Sequence, residues 1–384
     1  MIGRLLVTLG MVFCLQSVVA SQVIEKILAG DYQHKMISSG RNFPTVNLQR
    51  NHLGDICILL HHRISGDDIR AYYGWTTEVY QGKLDTLLAE GLLKRDARSG
   101  YVPTCAVMTL EDYNNVFKID AQLLAESVQL IVRKLPQVQA RYRNIEGFKA
   151  IPFQRASLFI LSDVLLDNWQ INSVEKRWLQ AERPLRNGMR YYYSIQEKDK
   201  QQATEAFGIY GNMYRGYGPI TVAIYGNRRM GINFINLSKD QFQEWFGMPA
   251  TEDVTTFKQE VLKALLKFSQ DNAFSLDEQT RNGFERLGFI SGGSLSIPAL
   301  NNEDQQKLSA LAQLVTDDLV ALLQLYTDRI KSDYQQSVYA SEISFEEYAI
   351  WWYHVYYTRV TDVLVEQGHI TKPSSGIFTY LLRE

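Results

Sequence analysis

Residues 64–96 read ISGDDIRAYYGWTTEVYQGKLDTLLAEGLLKRD, and the fold of the front of the chain turns on them. Ser65 stands before Asp67 and Asp68, acidic side chains suited to the first turn of a helix, and Gly74 is placed to end it. Thr76 or Thr77 caps a second helix that holds Val79, Leu84, Leu87 and Leu88, and Glu90-Gly91 closes it. Leu92 to Arg95, a turn over 97–100, and Tyr101 to Val107 form a hairpin. Upstream, Asn51 to Arg63 carries apolar residues at 53, 56, 57, 59 and 60, one face of a further helix. The order is therefore three helices and then a hairpin.

Residues from about 50 to 108 in this order resemble the winged helix-turn-helix superfamily. The resemblance implies that the third helix lies in a DNA major groove. It would present Thr76, Thr77, Gln81 and Lys83 there, with Lys94 and Arg95 on the wing. A DNA reader needs cations at such positions for phosphates and guanines. This helix offers Lys83 against Glu78, Asp85 and Glu90. Residues 51–110 hold six basic and seven acidic side chains. Charge balance points instead to a structural or protein-contact role.

The chain has 384 residues, 46% of them hydrophobic, enough for a real core and too many for wholesale disorder. Lys and Arg number 40 and Asp and Glu 42, which argues against a generally basic nucleic-acid protein. Arg4 is the one charge before Glu25, and an apolar run from Leu5 to Ala20 ends at polar Ser21-Gln22. That arrangement predicts a secretory signal peptide over 1–20, a linker over 21–49 and an exported, periplasmic or extracellular protein. No later stretch reads as apolar enough to span a membrane. Removal of Cys14 would leave Cys57 and Cys105, a candidate disulfide in an oxidising compartment, with two buried thiols as the alternative.

Behind the module, Asp120 opens a helix with Leu124, Val128, Ile131 and Leu135 on one side, completing a region over 50–150. Residues 151–247 read as a central helix, Phe153 to Trp169, and a four-stranded antiparallel sheet. Its strands are expected at Met189–Gln196, Glu205–Tyr210, Ile220–Tyr225 and Gly231–Leu237. Tyr191, Tyr193, Tyr210, Tyr214, Tyr217 and Tyr225 stud that sheet, and alternation sends some toward solvent, a candidate contact surface for a protein, peptide or glycan. Asp163 and Asp167 share a helix face; they could bind a metal or act as acid and base, or pair with Arg177, Arg183 or Arg186.

Residues 248–384 are expected to be helical. Gly288 to Pro298, with the turn Gly292-Gly293, echoes the first hairpin and suggests a second, degenerate winged-helix-like unit. His354 lies in a densely aromatic helix, where a packed, hydrogen-bonded ring is the simpler account. No nucleophile elbow, HExxH, paired CxxC or Walker sequence occurs, so no catalytic residue, metal or cofactor is assigned. The expectation is an α+β, exported, non-enzymatic binding protein; the alternative is a DNA-binding regulator with a C-terminal sensor region. A hydrolase using Asp163 and Asp167 is the third reading.

Overall fold

The computed structural model describes residues 19–38, 40–97, 100–198, 206–271 and 273–383. All of the expected signal peptide but its last two residues, Cys14 included, lies outside them. A helix α1 over 19–28 leads into β1 (Asp31–Ser38). Helices α2 (Leu53–His61), α3 (Gly66–Tyr73) and α4 (Thr77–Glu90) precede the hairpin β2 (Leu93–Asp96) and β3 (Gly100–Pro103). Then come β4 (Ala106–Met108), α5 (Leu110–Asn115), α6 (Ala121–Tyr142), α7 (Phe153–Leu158) and α8 (Ile171–Val174). Strands β5 (Leu185–Arg186), β6 (Met189–Lys198), β7 (Gly211–Tyr217) and β8 (Ile220–Gly226) follow. Three more helices, α9 (Lys239–Phe246), α10 (Val254–Gln270) and α11 (Glu278–Arg286), precede β9 (Ile290–Ser291), β10 (Ser294–Leu295) and β11 (Ala299–Leu300). The chain ends through α12 (Asn302–Leu325), α13 (Thr327–Gln336), α14 (Tyr339–Glu342), α15 (Phe345–Glu366) and β12 (Ile377–Arg383). The class is α+β, with 54% helix and 16% strand in several small sheets.

The chain forms two compact units, neither continuous in sequence. The first takes the chain up to Lys118, Ala181–Phe207 and Thr327–Tyr353; the second takes Ile119–Gln180, Gly208–Tyr326 and His354–Glu384. The contiguous boundaries expected near 150 and 247 do not coincide with these, because the central strand of each unit's sheet is contributed by a later stretch of chain.

In the first unit β6 is central, antiparallel to β1 and parallel to β4. Its core gathers Ile56, Cys57, Leu60, Ile69, Leu84 and Leu87 from the three helices with Tyr191 and Ile195 from β6. Ser65 and Thr76 cap α3 and α4 as expected, accepting from the amides of Asp68 and Val79.

In the second unit β12 is central, antiparallel to β8 and parallel to β11, with β7 beyond β8. Its core packs Phe234, Phe242, Phe246, Phe284 and Phe289 against Val222, Ile224 and Leu381. Phe153 to Trp169 is helical through most of its length, but Phe159–Val164 widens to a π-helix. Its residues are all buried. Helix α12 is, by length and composition, apolar enough to cross a membrane, which corrects the expectation of no such stretch. Here Leu308, Leu311, Val315, Leu319 and Leu323 are buried, while Asp317 and Asp318 on it pair with Arg177 and Lys134.

The expected four-stranded Tyr-rich sheet is not one sheet. β6 serves the first unit, and β7 and β8 serve the second. Residues 206–208 form a single 3-10 turn, and 231–237 are turns rather than a strand. Asn233 explains the latter: its Oδ1 accepts from the amides of Ile235 and Asn236 while its Nδ2 donates to the carbonyls of Arg229 and Gly231. A side chain that satisfies four local backbone groups takes them out of any ladder.

The two units share one plan. Each runs strand, three helices, hairpin and short strand; a later strand then pairs parallel with the short strand and antiparallel with the first. The correspondence extends to single hydrogen bonds. Gly91 (φ 75°) and Gly288 (φ 72°) end the third helices, and the next residues bond back identically, Leu92 N–H to Leu87 O and Phe289 N–H to Phe284 O. After the hairpins, the Thr104 and Ser296 hydroxyls donate 2.7 Å bonds to the Gly91 and Gly288 carbonyls. Thr109 with Asp112, and Asn301 with Asp304, then form capping boxes on the following helices.

Candidate functional site

The exposed face of α4 carries Thr76, Thr77, Glu78, Val79, Gln81 and Asp85. Val79 is 46% exposed, an apolar group in the middle of this face. Lys83 is engaged locally: its Nζ donates 2.8 Å to the Asn51 carbonyl and stands 4.6 Å over the Trp75 ring. Gln81 donates to Asp85, and the Thr77 hydroxyl accepts from Arg70, which also pairs with Asp67. The helix presents carboxylates and an apolar residue where a DNA reader would present cations. Lys94 and Arg95 on β2 are exposed.

Five of the six candidate contact tyrosines are inside. Tyr191, Tyr193, Tyr210, Tyr217 and Tyr225 are all buried, and Tyr214 alone is substantially exposed, at 43%. The expectation of a solvent-facing aromatic surface is therefore corrected: the rings are buried, and four of the hydroxyls are used internally. Tyr191 donates to Glu90, Tyr193 bonds the His34 ring, Tyr210 donates to Asp362, and Tyr225 bonds Ser162. Tyr214 bonds Tyr380 and accepts from Asn168.

Cys57 and Cys105 are free, fully buried thiols, so no disulfide closes between them in this structure. They lie together: a hydrogen bond to Cys105, with burial, pushes the Cys57 thiol well up from its usual range.

Asp163 and Asp167 are buried in the second unit. Asn212 donates 2.7 Å to Asp163 Oδ1, while buried Oδ2 has no partner. Burial, and then the charge of Asp167, hold the Asp163 carboxyl well above the usual range. Burial lifts Asp167 to about 7, against the opposing pull of a Tyr357 hydrogen bond and of Arg229. Two of the expected partners are engaged elsewhere: Arg177 pairs with Asp317 and Arg186 with Glu347. His354 stands 4.0 Å from Asp167. The groove described below is not lined by these carboxylates.

Two buried ionic clusters of the first unit escaped the sequence reading, because their members are far apart along the chain. His61 bonds Glu342 (2.8 Å) and Asp112 (3.1 Å). Burial opposes charge on that ring, but the two carboxylates outweigh it and raise its pKa to about 9. Arg186 pairs with Glu347 at 2.6 Å and also donates to the main-chain carbonyls of Tyr191 and Thr104, while Glu347 accepts from the Tyr193 N–H.

The second unit holds a groove of about 700 Å³. Its floor is apolar, with Phe289, Ile297, Ile377 and Phe378, and its walls include Arg155, Arg286 and Trp245. Arg286 lies 3.8 Å over the Trp245 ring, and Arg155 donates to the Ser296 hydroxyl. Its size suits a binding site. Among the described residues no group of three or more His, Cys, Asp or Glu side chains gathers as a metal site. Comparison with family models, curated proteins and solved structures returned no match for this chain.

Proposed function

We propose that this chain is an exported, non-enzymatic interaction protein that meets a protein partner through the winged-helix-like module of its first unit. The observation that carries the reading is the engagement of Lys83, which leaves the outer face of α4 with Glu78, Asp85 and exposed Val79. A duplex carries one negative charge per about 1.7 Å of axis, and such a face repels it. An apolar residue ringed by polar ones suits a protein contact instead. Export, read from the apolar run before Ala20, would also keep the module from chromosomal DNA.

Among the described residues the DNA-binding reading draws on exposed Lys94 and Arg95. A photo-crosslinking residue at position 79 separates the two. The proposal expects a discrete protein adduct from the envelope fraction and no salt-dependent duplex binding in 50 mM salt (a condition of about the low end used for such tests). Duplex binding abolished by Lys94→Ala with Arg95→Ala, without a protein adduct, would replace it.

A further inference from the structure

The shared plan of the two units locates a site. In the first unit, the N–H of Ile195 on β6 lies in the ladder with β4, at the pairing Val107 with Ile195. Two residues earlier β4 has ended, and the exposed edge of β6 is completed by side chains. Glu347 accepts the Tyr193 N–H, and Arg186 donates to the Tyr191 and Thr104 carbonyls. A buried carboxylate–guanidinium pair thus takes the place of further strand.

In the second unit, Leu381 on β12 occupies the place of Ile195, paired with Ala299, and its N–H donates 2.9 Å to the Pro298 carbonyl. Alternate residues of a strand turn their main-chain groups to the same edge, so Thr379 faces the same way as Leu381. Among the described residues its outward N–H has no partner. Ile377, one step further, is closed off by the Ser375 hydroxyl, which donates to its carbonyl. The groove lies against this edge, since Ile377 and Thr379 both line it. Its donors are exposed Arg155, which spends one N–H on Ser296, the Thr379 N–H, and the buried Trp245 indole N–H, which has no hydrogen-bond partner; exposed Arg286 pairs with Glu244 at 3.2 Å and keeps its other N–H groups for a ligand. Glu285 is the one carboxylate on its wall.

We infer that this groove binds an extended peptide bearing an acidic side chain, which adds to the free edge of β12 beside Thr379. Its main-chain carbonyl accepts the Thr379 N–H, the place Glu347 fills on Tyr193 in the first unit, and its carboxylate accepts from the guanidinium groups. The apolar floor receives the neighbouring side chains, as in other cases of strand addition. The site belongs to the second unit and stands or falls independently of the contact face on α4.

The test uses the full chain and a fluorescein-labelled, N-acetylated, C-amidated hexapeptide of Val and Thr with one central Glu, followed by anisotropy. Saturable binding is expected, with the Gln twin weaker by about tenfold or more. Arg155→Glu and Arg286→Glu should each weaken it by about as much. Arg281→Glu, the same charge change on α11 outside the groove, should leave it unaltered. N-acetylglutamate should compete far less well than the unlabelled peptide. Thr379→Pro removes the outward N–H while sparing the ladder with β8, and should abolish binding in a chain whose near-ultraviolet circular dichroism is native. Equal affinity for the Glu and Gln peptides, no saturation at millimolar protein, or binding indifferent to the arginine variants would overturn the inference. Competition by N-acetylglutamate as strong as by the peptide would overturn the strand-addition part and make the site one for small carboxylates.

Discussion

Glu347 completes the edge of β6 from inside the protein, held above the usual carboxylate range by burial and opposed in that by Arg186. Removing one member of a buried pair strands the other, and Glu347→Ala is expected to cost about 3–5 kcal/mol in urea unfolding. A loss under about 1 kcal/mol, the ordinary value of a surface pair, would deny it that role. Burial raises the Asp163 and Asp167 carboxyls as well. Their pKa values are raised on folding, so the folded protein binds more protons than the unfolded chain. Asp167 therefore stabilises below the usual carboxylate range, and this contribution is lost as pH rises through about 7. His61, raised to about 9, contributes fully below the usual imidazole range and loses its contribution as pH passes 9. Urea midpoints should fall from pH 4 to pH 8, and Asp163→Asn should flatten the lower part of that fall; a flat wild-type profile would contradict the burial argument. The thiols give a third residue-level expectation: Cys57 and Cys105 should resist maleimide when folded and react in a two-to-one ratio when unfolded without reductant. Unfolded chain that stays unlabelled until reduced would mean that the adjacent pair had closed into a disulfide.

Helix ends carried the most legible information. Gly91, Gly74 and Gly247 stop α4, α3 and α9 in left-handed conformations, and Ser238 with Gln241 caps α9 as the residue types imply. Gly292 and Gly293, both at positive φ, form the expected turn of the second hairpin. Replacing Gly91 or Gly288 by Ala should cost about 1 kcal/mol each, because both sit near φ 70° to 75° where a Cβ is strained. Losses below a few tenths would show those turns to be adaptable. Strands were read less well. Ile232 and Phe234 looked like strand residues, but Asn233 ties the backbone around itself, and Ile232 ends 68% exposed at the groove. Tyr alternation on β6 is genuine, but it does not tell one buried face from another, since that depends on which helices return to cover the sheet. Asn301 caps α12, with Asp304 completing the box.

The whole molecule repeats a plan that local sequence showed only in part. The echo between Gly91–Pro103 and Gly288–Pro298 pointed to a second hairpin, and the structure extends the likeness to the central strands and capping boxes. The discontinuity of the units was illegible, because strand partners such as β4 and β6 are joined through long intervening segments and no local residue pattern encodes that return. The candidate site was illegible for the same reason: Arg186 with Glu347, and Arg155 with Trp245 and Thr379, meet only in the fold. The functional account rests on a contact module working outside the cytoplasm, and compartment with intact mass tests it most directly. The full chain would be expressed in its source cell type, the cells fractionated, and the product weighed. The account predicts a chain shortened near Ala20 in the envelope or the medium. A product of full mass in the cytoplasm, bound to duplex DNA in a salt-dependent manner, would contradict it.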